Sequence, residues 1–265
     1  MIFQNRGLKV VSIEDGFEKP FWEHVNHDPF DYYFFILDLK QRREQTKIFL
    51  AMEGEKVEGL VLVYADWIVQ FRGNRKAVEK LLEHLNLEKV ELQAPLNCED
   101  LVMRKYKPNL RYELVLMTLN KGEERLQIRH EPVRLGPEDA QRVAEMMRTA
   151  EPEWWGDIKT EDRKESLEKT CWLGIKQDGR IVSVGNTRFE NIGSNIGVIA
   201  TDEHYRNRGY ATSIVSALVR EILKESPAAL IHVLRHNESA VKVYSKVGYK
   251  PYKEYLLIRG ERIRD

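Results

Sequence analysis

What most constrains the fold of this chain is an order of elements that can be read along it twice. In the second half, Trp172-Leu-Gly-Ile-Lys176 and Ile181-Val-Ser-Val-Gly185 flank Gln177-Asp-Gly-Arg180. Asp-Gly suits a turn that needs positive φ, so this is a β-hairpin. A strand over 195–201 follows, then a helix over 210–225 that puts Ala211, Val215, Leu218 and Ile222 on one face and ends before Pro227. A strand over 229–234 leads to a helix over 239–247, with Asn237 suited to its N-cap and Gly248 to its C′ position. A strand over 255–259 is expected to close the sheet of this half. A helix over 136–147, with Pro137 near its start and acids in its first turn, precedes the set. The first half repeats the outline. Strands over 47–50 and 57–64 flank Glu53-Gly-Glu-Lys56, and a strand over 67–71 precedes a helix through Ala77, Leu81 and Leu85. A strand over 90–94, a helix over 99–106 and a strand over 112–119 complete it. Hairpin, β, α, β, α, β in both halves predicts a mixed α/β protein made by internal duplication. The polar run Asn120-Lys-Gly-Glu-Glu-Arg125 marks the seam, which gives domains 1–123 and 124–265.

Composition narrows the class. A length of 265 residues suits about two domains. Forty-two basic residues balance 42 acidic ones, which argues against a nucleic-acid partner, since such proteins show a basic excess. The apolar run Gly59-Leu-Val-Leu-Val-Tyr-Ala65 is far shorter than the ~20 residues of a membrane helix, so no membrane partner is expected. The opening Met1-Ile-Phe-Gln-Asn-Arg-Gly-Leu-Lys9 shows no apolar export block, and Cys98 and Cys171 are too few for a disulfide framework. A cytoplasmic protein is the expectation. His24, His27 and Asp28 have no further ligand at metal-binding spacing, so no metal is expected.

The chemistry concentrates in Thr201-Asp-Glu-His-Tyr-Arg-Asn-Arg-Gly-Tyr-Ala-Thr212, where a strand enters a loop and a helix begins. A helix start offers unpaired N–H groups and the positive end of the dipole, and small residues let phosphates approach that backbone. Arg206 and Arg208 add charge. The segment is neither a P-loop nor a Gly-x-Gly-x-x-Gly fingerprint. Taken alone, it also reads as a solvated loop with a permissive glycine. Downstream, Ala240, Tyr244 and Val247 share the inward face of a helix, where Tyr244 is either a core residue or a phenol facing a site.

Together, Gly197-Val-Ile-Ala-Thr-x-x-x-Tyr-Arg-x-Arg-Gly-Tyr-Ala211 and Asn237-x-x-Ala-x-x-x-Tyr-x-x-x-Gly-Tyr249 resemble the GNAT superfamily of N-acyltransferases, over residues 126–258. The wording around Thr201–Thr212 is closest to the glycine-N-acyltransferase-like branch. The resemblance implies a GNAT fold, in tandem with a diverged N-terminal copy, and acetyl-CoA or another acyl-CoA as cosubstrate. It implies that main-chain groups of Ile199, Ala200 and Thr201 bond the pantetheine arm and thioester carbonyl. The amides of Asn207, Arg208, Gly209, Tyr210, Ala211 and Thr212 would hold the pyrophosphate, Asn237 the CoA arm, and Tyr244 would stand beside the sulfur. Ala211 departs from the glycine of many members.

The residue types suit acyl transfer to an amine. Backbone donors at 199–201 would stabilise the oxyanion, and a phenol with an ordinary pKa of about 10 lies near a thiol's value of about 8.5. Tyr244 is therefore the expected general acid. For the base, many relatives place a glutamate five residues before the Asn; here that position is His232, which accepts a proton near neutral pH without any shift. A histidine filling a half-buried strand position is the plain alternative, and Glu190 and Glu153 are further candidates. The resemblance implies that Trp154 and Trp155, with Glu153 and Glu190, lie on the acceptor side; two tryptophans that bury a loop against the core are the plain alternative. In the first half, Phe71-Arg-Gly-Asn-Arg-Lys76 lacks the Arg-x-x-Gly-x-Ala spacing, and Asn97 is followed by Arg104 where a tyrosine would be needed. That half is expected to be a degenerate copy that no longer binds CoA. The reading is an acyl-CoA-dependent N-acetyltransferase acting on an amine; the alternative is a CoA-binding regulatory or interaction protein without catalysis.

Overall fold

The repeated order is built as the pattern predicts, with additional elements near the start of each half. The computed structural model describes residues 7–264; residues 1–6, within the segment read for an export signal, lie outside the described residues. The first half runs β1 (Lys9–Ser12), α1 (Glu18–Val25), α2 (Tyr33–Gln41), β2 (Thr46–Glu53), β3 (Lys56–Tyr64), β4 (Ile68–Gly73), α3 (Arg75–His84), β5 (Lys89–Pro95), α4 (Glu99–Lys105) and β6 (Tyr106–Asn120). The second runs β7 (Val133–Arg134), α5 (Ala140–Ala150), α6 (Pro152–Trp155), α7 (Thr160–Lys169), β8 (Cys171–Gln177), β9 (Arg180–Thr187), β10 (Ser194–Thr201), α8 (Tyr210–Glu225), β11 (Ala228–Leu234), α9 (Glu238–Val247) and β12 (Lys250–Arg262). Among the described residues, no helix is long and apolar enough to cross a membrane.

By its contacts the chain divides into two units. One holds residues up to Val115 with Leu234–His236 and the chain from Lys253 onward; the other holds Leu116–Val233 and Asn237–Tyr252.

In the first unit the strand order is β1-β2-β3-β4-β5-β12-β6. Tyr255↔Pro95 through Glu261↔Lys89 pair antiparallel, so the strand expected to close the sheet of the second half instead extends that of the first unit. The reason lies in its alternation. Leu256 and Ile258 are fully buried in a cluster with Leu92, Ala94 and the α3 residues Ala77, Val78 and Leu81. Asn74 starts α3, its side chain accepting from the Ala77 amide at 3.0 Å.

In the second unit the order is β6-β11-β10-β9-β8-β7, with residues 116–120 of β6 supplying the strand beside β11. The Lys121 amide donates to the Pro227 carbonyl at 3.0 Å. Asp178 and Gly179 both take positive φ, +50° and +78°, as the Asp-Gly hairpin predicts. Val143, Met146 and Met147 of α5 pack with Trp172, Val184 and Ala200 on one face of the sheet. On the other face, α8 buries Ile214, Val215, Leu218 and Ile222.

Candidate active site

The site begins where β10 loses a neighbour. Its parallel register with β11 runs for three pairs, Ser194↔Ala229 to Ile196↔Ile231. Against β9 the register shifts between Ile196 and Val198, a bulge at Gly197, and then continues Val198↔Asn186, Ile199↔Gly185, Ala200↔Val184 and Thr201↔Ser183. Glycine suits the bulge because a Cβ there would meet the Asn186 side-chain oxygen at 3.0 Å. From Val198 to Thr201, β10 is therefore paired on its β9 side, while its other edge parts from β11. Ile199, Ala200 and Thr201 lie on this stretch.

The loop after β10 is tied at its root. Arg142 of α5 donates to Asp202 Oδ2 at 2.5 Å, and Asp202 Oδ1 accepts from the His204 amide at 3.1 Å. Burial pushes the Asp202 carboxyl up, but these donors outweigh it and hold the pKa below its usual value. Asn207 (φ +62°) and Gly209 (φ +84°) take positive φ on either side of Arg208. Such alternation turns successive N–H groups into one concavity that fits an anion. Space around the Cβ position of Gly209 is open, so its φ alone calls for glycine. No side chain caps α8, which leaves the first-turn amides of Tyr210, Ala211 and Thr212 for an outside acceptor. The exposed Arg206 donates to the Thr201 carbonyl at 3.4 Å, and Arg208 lies over the Tyr205 ring at 5.3 Å. The His130 ring packs on Tyr210 at 4.4 Å between centroids. Asn207 to Thr212, named from the sequence, thus form one turn that runs into the uncapped start of α8.

Asn237 caps α9, its Oδ1 accepting from the Ala240 amide at 3.1 Å and from Ser239 at 2.9 Å. Its carbonyl oxygen is therefore committed to the helix. Tyr244, two turns on, is buried with its ring 6.0 Å from that of Tyr249. Burial, and then the charge of Glu151, push the phenol well above its usual pKa. The expectation of an ordinary phenol matched to a thiol is corrected here: desolvation penalises the phenolate.

The candidate bases are scattered. His232 is the first β11 residue beyond the parallel register, half-buried, with Nδ1 3.3 Å from Asn195 Oδ1. Glu190 lies before β10, at the end of the strand remote from the anion loop. Its amide donates to Ser194 and its carbonyl accepts from Ser226 at 2.7 Å. Glu153 is exposed on α6. Trp154 is half-buried, and Trp155, like Val198, packs against the cluster that holds Val143, Met147 and Ala200. The structure does not bring Glu190 to the parting of β10 and β11.

Sequence reasoning missed Glu151. It ends α5 in a non-helical conformation (φ −144°, ψ 74°), as the residue before Pro152 must. Its Oε2 accepts from the Trp155 indole at 3.2 Å. Burial raises its pKa, Trp155 opposes the rise, and Glu153 adds to it. The signal was present in Ala150-Glu151-Pro152: an acid just before a proline leaves the helix axis and projects from its end. Among the described residues no group of three or more His, Cys, Asp or Glu could hold a metal.

Residues 172–258 match the family described as FR47-like protein, which spans β8 to β12 and so includes the parting strands, the anion loop and Tyr244. No curated protein matches the chain. Among solved structures, a Drosophila protein is similar over 95% of this chain and 98% of its own, at 14% identity and a TM-score of 0.67. A tandem GNAT protein from the clavulanic acid biosynthesis pathway is similar over 97% and 99%, at 12% identity and a TM-score of 0.59. A GNAT-family acetyltransferase from Colwellia psychrerythraea is similar over 96% and 100%, at 11% identity and a TM-score of 0.57. The protein has the mixed α/β GNAT fold, in the tandem arrangement.

Proposed function

We propose that the second unit, which holds Leu116–Val233 and Asn237–Tyr252, is an acyl-CoA-dependent N-acyltransferase that moves an acetyl group to an amine, while the first unit is a copy without CoA chemistry. The observation that carries this reading is the parting of β10 from β11 directly before the loop with positive φ at Asn207 and Gly209. An opened strand edge offers backbone partners to a pantetheine arm, and the concavity after it suits a diphosphate. Arg206 and Arg208, exposed beside it, add attraction for an anion.

In this reading the amine attacks the thioester carbonyl, amides of Ile199 to Thr201 face the growing oxyanion, and Tyr244 gives its proton to the departing sulfur. Its raised pKa keeps the phenol loaded with that proton at every working pH. Asn237 fixes the start of α9, and Trp154 and Trp155 form a wall for the acceptor. The likeness of Thr201–Thr212 to the glycine-N-acyltransferase-like branch makes longer acyl donors part of the test. Thiol release is measured with acetyl-CoA and longer acyl-CoAs against amino acids, polyamines and peptide amines, with CoA binding followed calorimetrically. Turnover with at least one amine is expected. Binding without turnover would replace the enzyme by a CoA-responsive regulatory protein, and absence of binding would end both readings.

A further inference from the structure

We propose that Glu151 is the group that takes the proton from the attacking amine and returns it to Tyr244, an inference that rests on the acyltransferase reading. Three placements support it. The carboxylate accepts from the Trp155 indole at 3.2 Å, and Trp155 packs in the cluster of Val198 and Ala200, on the stretch of β10 that parts from β11. Glu151 is close enough to Tyr244 for its charge to act on the phenol. It has no ion pair among the described residues; Arg148, one turn back, donates instead to the Ile158 carbonyl at 2.9 Å.

The groups facing Glu151 are Glu153 on α6, whose charge disfavours a second one beside it, the neutral indole of Trp155, and the neutral phenol of Tyr244 on α9, on which the Glu151 charge acts. The carboxyl is thus poised to accept a proton more readily than an exposed glutamate. The competing bases are placed less well. The His232 ring nitrogen meets Asn195, and Glu190 is anchored at the far end of β10.

The step balances without another reactant. The amine nitrogen forms a C–N bond and the C=O pair moves to oxygen. One N–H proton passes to Glu151, and as the oxyanion collapses the C–S bond breaks. The leaving thiolate takes the Tyr244 proton, and the phenolate recovers one from the Glu151 carboxylic acid. Amide and free thiol leave, and both side chains end as they began.

The test compares wild type with E151Q, which keeps an oxygen for the Trp155 indole, and with E151D. E151Q is expected to lower kcat/KM about 10²-fold or more, to abolish the acid limb of the pH–rate profile, and to leave acetyl-CoA affinity within about twofold of wild type; E151D restores part of the rate. A readout apart from activity uses 13Cζ-labelled tyrosine. The Tyr244 signal, assigned by its loss in Y244F, shifts as Glu151 titrates in wild type and is flat over that range in E151Q. An E151Q enzyme with wild-type turnover and an intact acid limb would remove Glu151 while the transferase reading stands. A wild-type protein that binds acetyl-CoA and acylates no amine would remove both.

Discussion

Each unit contains a pair of parallel strands that separate after three register pairs, and the chain uses the two partings in opposite ways. In the first, Ile68↔Glu91 to Gln70↔Gln93 pair before β4 runs on to Gly73, and α3 follows with only Asn74 between. Asn74 caps the helix start, and Arg75 there is bound to Asp100 at 2.5 Å. In the second, the loop from Asp202 to Gly209 intervenes, no side chain caps α8, and neither Arg206 nor Arg208 forms an ion pair among the described residues. The faces turned away from the following helices differ as well. Arg72, 2% exposed, donates to Asp31 at 2.6 Å and stacks 3.9 Å from the centre of the Tyr255 ring, whose hydroxyl also reaches Asp31. The matching face of β10 carries Val198 and Ala200, in an apolar cluster against which Trp155 also packs. The same strand geometry therefore holds a closed charge network where the loop is absent, and leaves backbone and a lone carboxyl available where the loop is present.

The sharpest way to break this contrast is Arg72→Met. Removing the buried guanidinium leaves Asp31 only the part-exposed Lys253 at 3.5 Å and the Tyr255 hydroxyl, and should cost about 3 kcal/mol, the low end for breaking a buried pair, read by urea unfolding, yet leave acyl-CoA affinity unchanged in the folded protein. A parallel loss of CoA binding would mean that the first parting also serves the cofactor. Next in size is Tyr244→Phe. Because burial makes the phenolate costly, its expected loss in turnover is about 10²-fold, the low end for general acid catalysis, with acetyl-CoA affinity within about twofold of wild type. Wild-type turnover under conditions where chemistry limits the rate would take Tyr244 out of the mechanism.

Much of the contrast was legible in the sequence. The Asp-Gly hairpin, the Asn237 cap and the glycine at 209 are local signals, and local signals survive folding. The missing Arg-x-x-Gly-x-Ala spacing after Phe71 foretold that α3 would begin without an anion loop. What the sequence concealed is non-local. Nothing in Tyr255-Leu-Leu-Ile says that its partner is β5, because an alternating strand fits any half-buried edge position. Burial of Tyr244 and half-burial of Glu151 could not be read either, since each depends on packing between elements distant in the chain. Arg72 looked like loop charge and is instead the centre of a buried network.

Gly209→Val forces a branched residue to φ +84°, a strain of about 1–3 kcal/mol, and should weaken acyl-CoA binding about tenfold by calorimetry. The counterpart, Asn74→Ala, removes a cap worth about 1 kcal/mol and should lower Tm without touching acyl-CoA affinity. If both variants changed affinity alike, the two helix starts would not be as different as their caps indicate.

The smallest effects concern two carboxyls shifted in opposite directions, one in each unit. Glu151 has a folded pKa raised first by burial. Its contribution to stability is present in full below the unfolded pKa and is lost as pH rises through the folded value. E151Q should therefore unfold at a higher temperature than wild type in mildly alkaline buffer, and the gap should close as pH falls. Asp100, beside the start of α3, is held down to about 2, first by the Arg75 hydrogen bond. Its contribution is present above the unfolded value and lost as pH falls toward 2, so D100N should be the less stable protein at neutral pH and equal to wild type in strong acid. The pair is exposed, so solvent screening keeps that difference small. Calorimetric scans of both variants across pH read the two signs directly. Curves for E151Q and D100N that slope the same way would show that the carboxyl at the end of α5 is solvated, and would remove the distinction drawn between an open polar site in one unit and saturated charge in the other.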